Sequence, residues 1–377
     1  MEEARYFPDE EPGLASVLDE FLASLKEDLH RQTWVGSVRA LLLAGGYGRG
    51  EGGVFRESEH SAPQLYNDLE FFVLIADHAP LAPVEAWCAT HAHRGEEKTG
   101  IEVEFKLLRR SALSQGAPSM FFYDLLSANR LVFGEREFLD SLPESLRIPA
   151  LIPLHEAARL LFNRGSGLFY SRVALERNDV RAGNGFIERN HAKVRLALAD
   201  AVLAANGRYH FSCRERHLRI TGPLPFTPPD WPTLVAWHGE GVEFKLHPRH
   251  CFPPAAELRE SQGKITALWL STFLWLESRR LGRNFSGPGE YAAFRGRLFP
   301  GMNPMRNLAL HARDRIRRGG ALPHWFDYPR AALQRSLVCV LQPEPDDPQA
   351  ARELALRGDE SIDVIHDAYL GWWKYYN

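Results

Sequence analysis

The chain has 377 residues, of which 45% are hydrophobic and 25% charged, and its formal net charge is -3. This composition is typical of a globular protein with a sizeable core, and the length favours two domains or one large domain with additions. The slight net negative charge argues against a broad basic surface for nucleic acid. The sequence contains no run of about 18 apolar residues, so no membrane-spanning helix is predicted.

The chain begins with an acidic segment, residues 1–5, that lacks the basic-then-apolar layout of a secretory signal. Its four cysteines are scattered and form no C-x-x-C motif. They are Cys88, Cys213, Cys251 and Cys339. We therefore expect a cytoplasmic protein with reduced, mostly buried thiols and without a structural zinc site.

The spacing of apolar residues predicts a small α/β domain over residues 1–148. Helices are expected at 14–32, 83–93 and 119–129, and strands at 38–44, 68–75, 100–108 and 131–133. Residues between the first two strands are polar and glycine-rich, which predicts an extended loop.

The second part of the chain, residues 149–377, has long helical patterns separated by loops rich in Pro and Gly, above all at 222–254. Helices are expected at 154–176, 187–206, 256–280, 330–341 and 361–376. The predicted fold class is therefore α+β, with a mostly helical second domain. The pentapeptide Val-Glu-Phe-Lys-Leu occurs at 103–107 and again at 242–246, and we interpret this repeat as chance because the flanking sequences differ.

A glycine-rich turn follows the first predicted strand, in the sequence Ala44-Gly45-Gly46-Tyr47-Gly48-Arg49-Gly50-Glu51-Gly52-Gly53. Such a turn exposes backbone N–H groups that can bind phosphates. Its glycines also match the dinucleotide fingerprint G-x-G-x-x-G, but a short polar segment follows where that fingerprint needs a helix. A P-loop is excluded by the missing Gly-Lys-Ser/Thr, and a protein kinase by the missing H-R-D and D-F-G.

Two carboxylates lie at the start of the second strand, in Asn67-Asp68-Leu69-Glu70. Residues i and i+2 of a strand project from the same face. Since the following residues form an apolar run, we expect Asp68 and Glu70 to be too enclosed for a plain solvated face, and burying both without a cation would be costly. They are therefore predicted to bind divalent metal ions. Glu102 and Glu104 likewise share one face of the third strand.

These three elements in this order resemble the nucleotidyltransferase superfamily of the DNA polymerase β type, over residues 35–110. The resemblance implies a mixed β-sheet with flanking helices and a helical domain that closes over the nucleotide and acceptor. It also implies transfer of a nucleoside monophosphate from a triphosphate, most readily ATP, with Mg²⁺ or Mn²⁺. The acceptor would be a hydroxyl of a small molecule or a protein; nucleic acid is not expected, and the oligomeric state is left open.

The resemblance assigns roles to individual residues. Asp68 and Glu70 would bridge the metal ions. Glu104 or Glu102 would be the third metal ligand and help to deprotonate the acceptor. Glu104 is favoured because Phe-Lys-Leu-Leu follows it. Gly45 and Gly46 would bind phosphate through their backbone amides.

Five further side chains carry two interpretations each. Arg49 is either a phosphate contact or solvent-exposed, and Lys106 is a phosphate contact or an ion-pair partner of a neighbouring Glu. Asp124 is expected to be a cap or an ion-pair partner, and Tyr47 to stack or pack. Lys193 is the helical-domain candidate for binding the triphosphate, against a plain ion pair or solvated charge.

Other positions are weaker candidates. Arg208 and Tyr209 follow the helix that contains Lys193, and the arginines at 313, 315, 317 and 318 are expected to be a solvated helix end rather than an RNA contact. Gly-Gly stands where the superfamily usually has Gly-Ser, so a catalytically silent nucleotide-binding protein of the same fold is the alternative. An NAD-dependent dehydrogenase is a third hypothesis that rests on the glycine fingerprint alone.

Overall fold

The computed structural model describes residues 5–58, 60–177, 185–249, 253–299 and 301–376. The chain divides into two compact units. The first contains Met1–Glu156, Leu203–Pro225 and Gly239–His250, and the second contains Ala157–Val202, Phe226–His238 and Cys251–Asn377. Two segments that follow the predicted α/β domain in sequence therefore belong to the same unit as the N-terminal residues.

A four-stranded mixed sheet lies at the centre of the first unit. The strands are β1 (Val38–Leu43), β2 (Gly53–Phe55), β3 (Gln64–Tyr66), β4 (Asp68–Ile75), β5 (Glu102–Arg109) and β6 (Arg130–Gly134). The sheet order is β5-β4-β1-β6, in which β4 and β5 are parallel and the other neighbours antiparallel. The four predicted strands are confirmed. The separate β2–β3 pair lies where the sequence analysis expects a loop.

Helices cover both faces of this sheet. Those of the N-terminal segment are α1 (Pro12–His30), α2 (Gly45–Gly48), α3 (Leu81–Thr99), α4 (Arg110–Ser114), α5 (Met120–Ser127) and α6 (Arg136–Asp140). Leu69 and Phe71 of β4 pack in one core with residues of α1 and α3. Phe72 and Leu74, which face the other way, pack with residues of α4, α5 and α6. Coverage on both sides explains why β4 is a continuous apolar run after Glu70.

The remaining helices are α7 (Leu154–Glu176), α8 (Phe186–Ala205), α9 (Cys213–Thr221), α10 (Trp231–Leu246), α11 (Ala255–Leu281), α12 (Pro288–Ala293), α13 (Pro304–Arg318), α14 (Arg330–Val340), α15 (Asp347–Glu353) and α16 (Ile362–Tyr376). The α+β class with a helical C-terminal region is confirmed. In the core of the second unit, the Trp269 indole N–H donates to the carbonyl of Leu161 at 2.8 Å. Gly165 makes room for that ring, since a Cβ there would lie 2.4 Å from it.

The prediction of a loop over residues 222–254 is wrong for α10. Pro232 lies in the first turn of this helix, where a proline removes no intrahelical hydrogen bond. Gly239 and Gly241 lie in its interior and lower its intrinsic helix propensity. Packing of residues such as Leu234, which is fully buried, therefore stabilises a helix that local sequence does not favour.

Three of the cysteines are free, buried thiols: Cys88, Cys213 and Cys339. Burial raises the pKa of the Cys88 thiol to about 12, so this group is a neutral part of the core. Cys251 lies outside the described residues. No helix in the described part of the chain is both long and apolar enough to cross a membrane.

Candidate active site

Three carboxylates converge at the start of two parallel strands. Asp68 and Glu70 lie on β4, and Glu104 lies on β5 directly beside Glu70 in the strand register. One oxygen from each side chain lies within 4.8 Å of the others, and all three residues are half-buried. We call Asp68, Glu70 and Glu104 the acidic triad. Three hard oxygen donors at this spacing are the type of ligand set that Mg²⁺ accepts.

Burial and the convergence of the carboxylate oxygens distinguish Glu104 from Glu102. Glu102 lies beside Asp68 in the register, but it is exposed and is not among the convergent carboxylates of the described residues. Glu104 is half-buried, and its carboxylate converges with those of Asp68 and Glu70, so Glu104 is the acid that completes the triad.

The residue before the triad has an unusual backbone conformation. Asn67 has φ +80°, in the left-handed region that Asn tolerates better than most residues. Its side-chain amide donates to the Asp68 carboxylate. The turn between β3 and β4 thereby orients the first carboxylate of the triad.

Lys106 lies on the same face of β5, and its ammonium contacts two members of the triad. The Nζ atom is 2.7 Å from Glu104 Oε2 and 3.3 Å from Glu70 Oε1. Partial burial lowers the pKa of Lys106, but the hydrogen bond to Glu104 and the charge of Glu70 raise it more, so the pKa is above its usual value. Of the two interpretations of Lys106, the structure shows the ion pair.

The glycine turn begins directly against the triad. Gly45–Gly48 forms the single helical turn α2, and the N–H of Ala44 donates to the carbonyl of Glu70 at 2.8 Å. Gly45 has φ +61°, and a Cβ there would lie 2.5 Å from Glu70 Oε2. Only a glycine allows the backbone to pass this close to the carboxylate. The first N–H groups of a helical turn have no intrahelical acceptor, so this turn can present donors beside the triad.

The dinucleotide fingerprint does not have its required structural context. Gly53, its last glycine, begins strand β2 instead of a helix. The Tyr47 side chain inside the turn is buried, and its hydroxyl oxygen lies 3.0 Å from the carbonyl oxygen of Gly53 and 2.9 Å from that of Tyr66, within reach of its one proton. Tyr47 is therefore a packing residue that fixes the turn to the β2–β3 pair.

Arg49 is neither solvent-exposed nor free of protein partners. Its side chain is 15% exposed, and Nη1 lies 3.2 Å from Asp124 Oδ2. The Tyr209 hydroxyl donates to the same Asp124 oxygen, also at 3.2 Å. Asp124 is thus an ion-pair partner, as one of its two interpretations predicts. A phosphate contact by Arg49 would compete with this ion pair.

The structure also contains a buried carboxylate that sequence reasoning missed. Glu51 accepts hydrogen bonds from the Ser212 hydroxyl at 2.7 Å, the Cys213 N–H at 2.9 Å and the Lys245 ammonium at 3.1 Å. Its own N–H donates to the carbonyl of Gly46 at 2.8 Å. These residues, which we call the Glu51 cluster, connect the glycine turn to α9 and α10.

The Glu51 cluster holds its carboxylate in the charged form. Burial alone would raise the pKa of Glu51, but Lys245, Ser212 and Arg49 lower it to about 2. The position at the first turn of α9 also favours a negative charge. One sequence signal could have located α9: Ser212-x-x-Glu215 is a capping-box pattern, and the Glu215 N–H does donate to the Ser212 hydroxyl. No comparable signal points to Lys245.

Other candidates lie elsewhere in the chain. Lys193 is in α8, within the second unit, and its phosphate role stays a prediction. Two clefts of about 510 and 610 Å³ lie at the opposite ends of the strands from the triad. They are bordered by Ile75 and Arg109 in one case and by Val38 and Gly134 in the other. The ends of β4 and β5 that carry the acids are not part of either cleft.

No protein-family model matches this chain, and a search of curated proteins also gave no match.

Proposed function

We propose that this chain is a nucleotidyltransferase that uses Mg²⁺ or Mn²⁺ to transfer a nucleoside monophosphate from a triphosphate to a hydroxyl. The observation that carries the proposal is the acidic triad, with its oxygens within 4.8 Å of one another, directly beside the backbone of Gly45. The arrangement combines ligands for a divalent cation with a turn that can bind phosphate.

The residues fit a divalent cation in their chemistry as well as their spacing. All three donors are carboxylate oxygens, and they are half-buried, so the cation would retain room for water and phosphate ligands. When bound, the cation neutralises charge on the phosphate oxygens. Asp68, Glu70 and Glu104 would hold it, and Gly45 and Gly46 would bind phosphate through backbone N–H groups.

The proposed transfer needs no reactant besides the nucleoside triphosphate and the hydroxyl acceptor. The hydroxyl oxygen of the acceptor forms a bond to the α-phosphorus, and the bond from that phosphorus to the bridging oxygen breaks. Pyrophosphate leaves, and the hydroxyl proton passes to Glu104, which we assign as the base. A small molecule or a protein side chain is the favoured acceptor, since the chain has a net charge of -3 rather than a basic composition.

The test is incubation of the full chain with labelled ATP, GTP, CTP and UTP and with Mg²⁺ or Mn²⁺, across a panel of hydroxyl acceptors. The proposal expects pyrophosphate release with at least one nucleotide, ATP first, and labelling of an acceptor. Labelling of the chain itself would identify protein as the acceptor class. Failure to bind any divalent cation at the triad would refute the proposal.

A catalytically silent nucleotide-binding protein is the second candidate, and the ion pairs of Lys106 favour it. An ammonium between Glu70 and Glu104 compensates their charge without a metal ion. This candidate expects triphosphate binding without pyrophosphate release for every acceptor tested.

Replacing Gly45 with Ala is expected to weaken Mn²⁺ binding about tenfold and to destabilise the fold by about 1 kcal/mol, because the new Cβ displaces Glu70 and the positive φ is strained. Mn²⁺ titration followed by electron paramagnetic resonance and denaturant unfolding measure the two effects.

Gly100 provides the matched control for this substitution. It also has a positive φ, +73°, but a Cβ there would meet no atom within 4 Å. Gly100→Ala should therefore lower the free energy of unfolding about as much as Gly45→Ala does, and it should leave the Mn²⁺ affinity unchanged. Equal Mn²⁺ affinities for Gly45→Ala and Gly100→Ala would contradict the contact between the turn and the metal ligand.

A further inference from the structure

Lys106 contacts the triad in the way that a bound cation would. Its Nζ donates to Glu104 Oε2 and Glu70 Oε1, on the same face of the sheet on which the carboxylates converge. We infer that the Lys106 ammonium is a built-in cation that occupies the divalent-metal position in the metal-free protein and is displaced when the metal binds. This inference rests on the proposed function, because it concerns the regulation of the same site.

The ammonium and the metal compete for the same oxygens. A lysine ammonium has hydrogen-bond donors and no lone pair, so it cannot join the ligand set of a metal ion. Its positive charge, 2.7 Å from one prospective ligand and 3.3 Å from another, also repels a divalent cation at that position. Metal binding therefore requires Nζ to move away from Glu70 and Glu104.

The surroundings of Lys106 permit this movement. The side chain is 47% exposed and has four rotatable carbon bonds, so Nζ can reach solvent without disturbing the core. Phe72, the neighbour of Lys106 on β4, has its ring 5.8 Å from Nζ. That ring gives the ammonium a favourable contact along the same face.

The competition has a measurable consequence for metal affinity. Lys106→Met keeps an unbranched side chain of similar length over Phe72 but removes the charge. We expect the variant to bind Mn²⁺ about tenfold more tightly than the unmodified chain, since no ammonium has to be displaced. Lys106→Arg retains the charge and should bind Mn²⁺ no more tightly than the unmodified chain.

The matched control is Lys98→Met. Lys98 is a surface lysine that forms an ion pair with Glu20 at 2.9 Å. It lies on α3, and its ion-pair partner is Glu20 and not a member of the triad, so its removal tests the general effect of losing one positive charge. Mn²⁺ affinity of this variant should equal that of the unmodified chain.

A second measurement needs no substitution. The rate of acetylation of the Lys106 amine, followed by mass spectrometry of peptides, should rise severalfold when saturating Mn²⁺ frees the amine. An unchanged rate would overturn the inference, and so would equal Mn²⁺ affinities for the unmodified chain and Lys106→Met. Absence of Mn²⁺ binding to both proteins is a different result, since it would refute the proposed function itself.

Discussion

Asp68→Asn is expected to lower the rate of nucleotide-dependent pyrophosphate release at least about a thousandfold, because the neutral amide removes one of the charges that hold the metal ion. The substitution preserves the size of the side chain and its position at the start of β4. It should also weaken Mn²⁺ binding at least about tenfold, which can be measured before any acceptor is known. The two readouts are pyrophosphate release and Mn²⁺ titration.

Glu102→Gln is the control for this prediction. Glu102 pairs with Asp68 in the register of β4 and β5, but it is exposed and lies outside the triad. The control should change the rate and the Mn²⁺ affinity by less than about threefold, since an exposed charge is screened by solvent and salt. A large loss in Glu102→Gln together with near-normal Asp68→Asn would show that the wrong carboxylates have been assigned.

Glu51→Gln is expected to destabilise the protein by about 3 kcal/mol, because it leaves the partners of a buried carboxylate without their counter-charge. Glu51 is 5% exposed and accepts hydrogen bonds from three groups. The Gln amide has the same size as the Glu carboxyl group and can retain some of these hydrogen bonds. The substitution therefore tests the loss of the negative charge more than a change of side-chain shape. Equilibrium unfolding in urea at neutral pH measures the difference.

The dependence on pH gives an independent check of the Glu51 contribution. The folded-state pKa is about 2 against an ordinary value of 4.5, so the carboxylate binds protons more readily in the unfolded state. Its stabilisation, about 3 kcal/mol from this difference, is fully present above pH 4.5 and is lost as the pH falls towards 2. The gap in stability between the unmodified chain and Glu51→Gln should therefore shrink over that pH range.

Glu27→Gln is the matched control for the stability measurement. Glu27 forms an ion pair with Arg31, and both side chains are more than half exposed. Loss of this pair should change the free energy of unfolding by less than about 0.5 kcal/mol at any pH. If Glu51→Gln changed the free energy of unfolding as little as Glu27→Gln, the ion pairs and hydrogen bonds of the Glu51 cluster would not stabilise the fold.

Much of the fold could be predicted because local patterns and tertiary packing agree. Asp68–Ile75 and Leu154–Glu176 have the predicted bounds, since a continuous apolar run and a long helical periodicity leave few alternatives. The pair Asp68 and Glu70 could also be placed on one face, because alternation along a strand is a local property. The choice between Glu102 and Glu104 required the packing of β5 against β4, because only the tertiary structure shows which carboxylate converges with residues more than 30 positions away.

The Glu51 cluster illustrates what local reasoning could not supply. Glu51 meets Ser212 and Lys245, which are 161 and 194 positions away in the chain. Neither the composition nor the spacing around Lys245 marks it as the partner of a buried acid. The fold brings the three together only because 203–225 and 239–250 pack with the N-terminal residues.

The repeated pentapeptide shows the division between local and tertiary control most directly. Val-Glu-Phe-Lys-Leu at 103–107 lies in strand β5, whereas the same five residues at 242–246 end helix α10. The sequence determined by itself the charges, the apolar spacing and the positions of glycine and proline. Only the tertiary structure decided that Lys106 pairs with Glu70 and Glu104 while Lys245 pairs with Glu51. The reason is that hydrogen-bonded strand partners and core contacts outweigh the small intrinsic preferences of five residues.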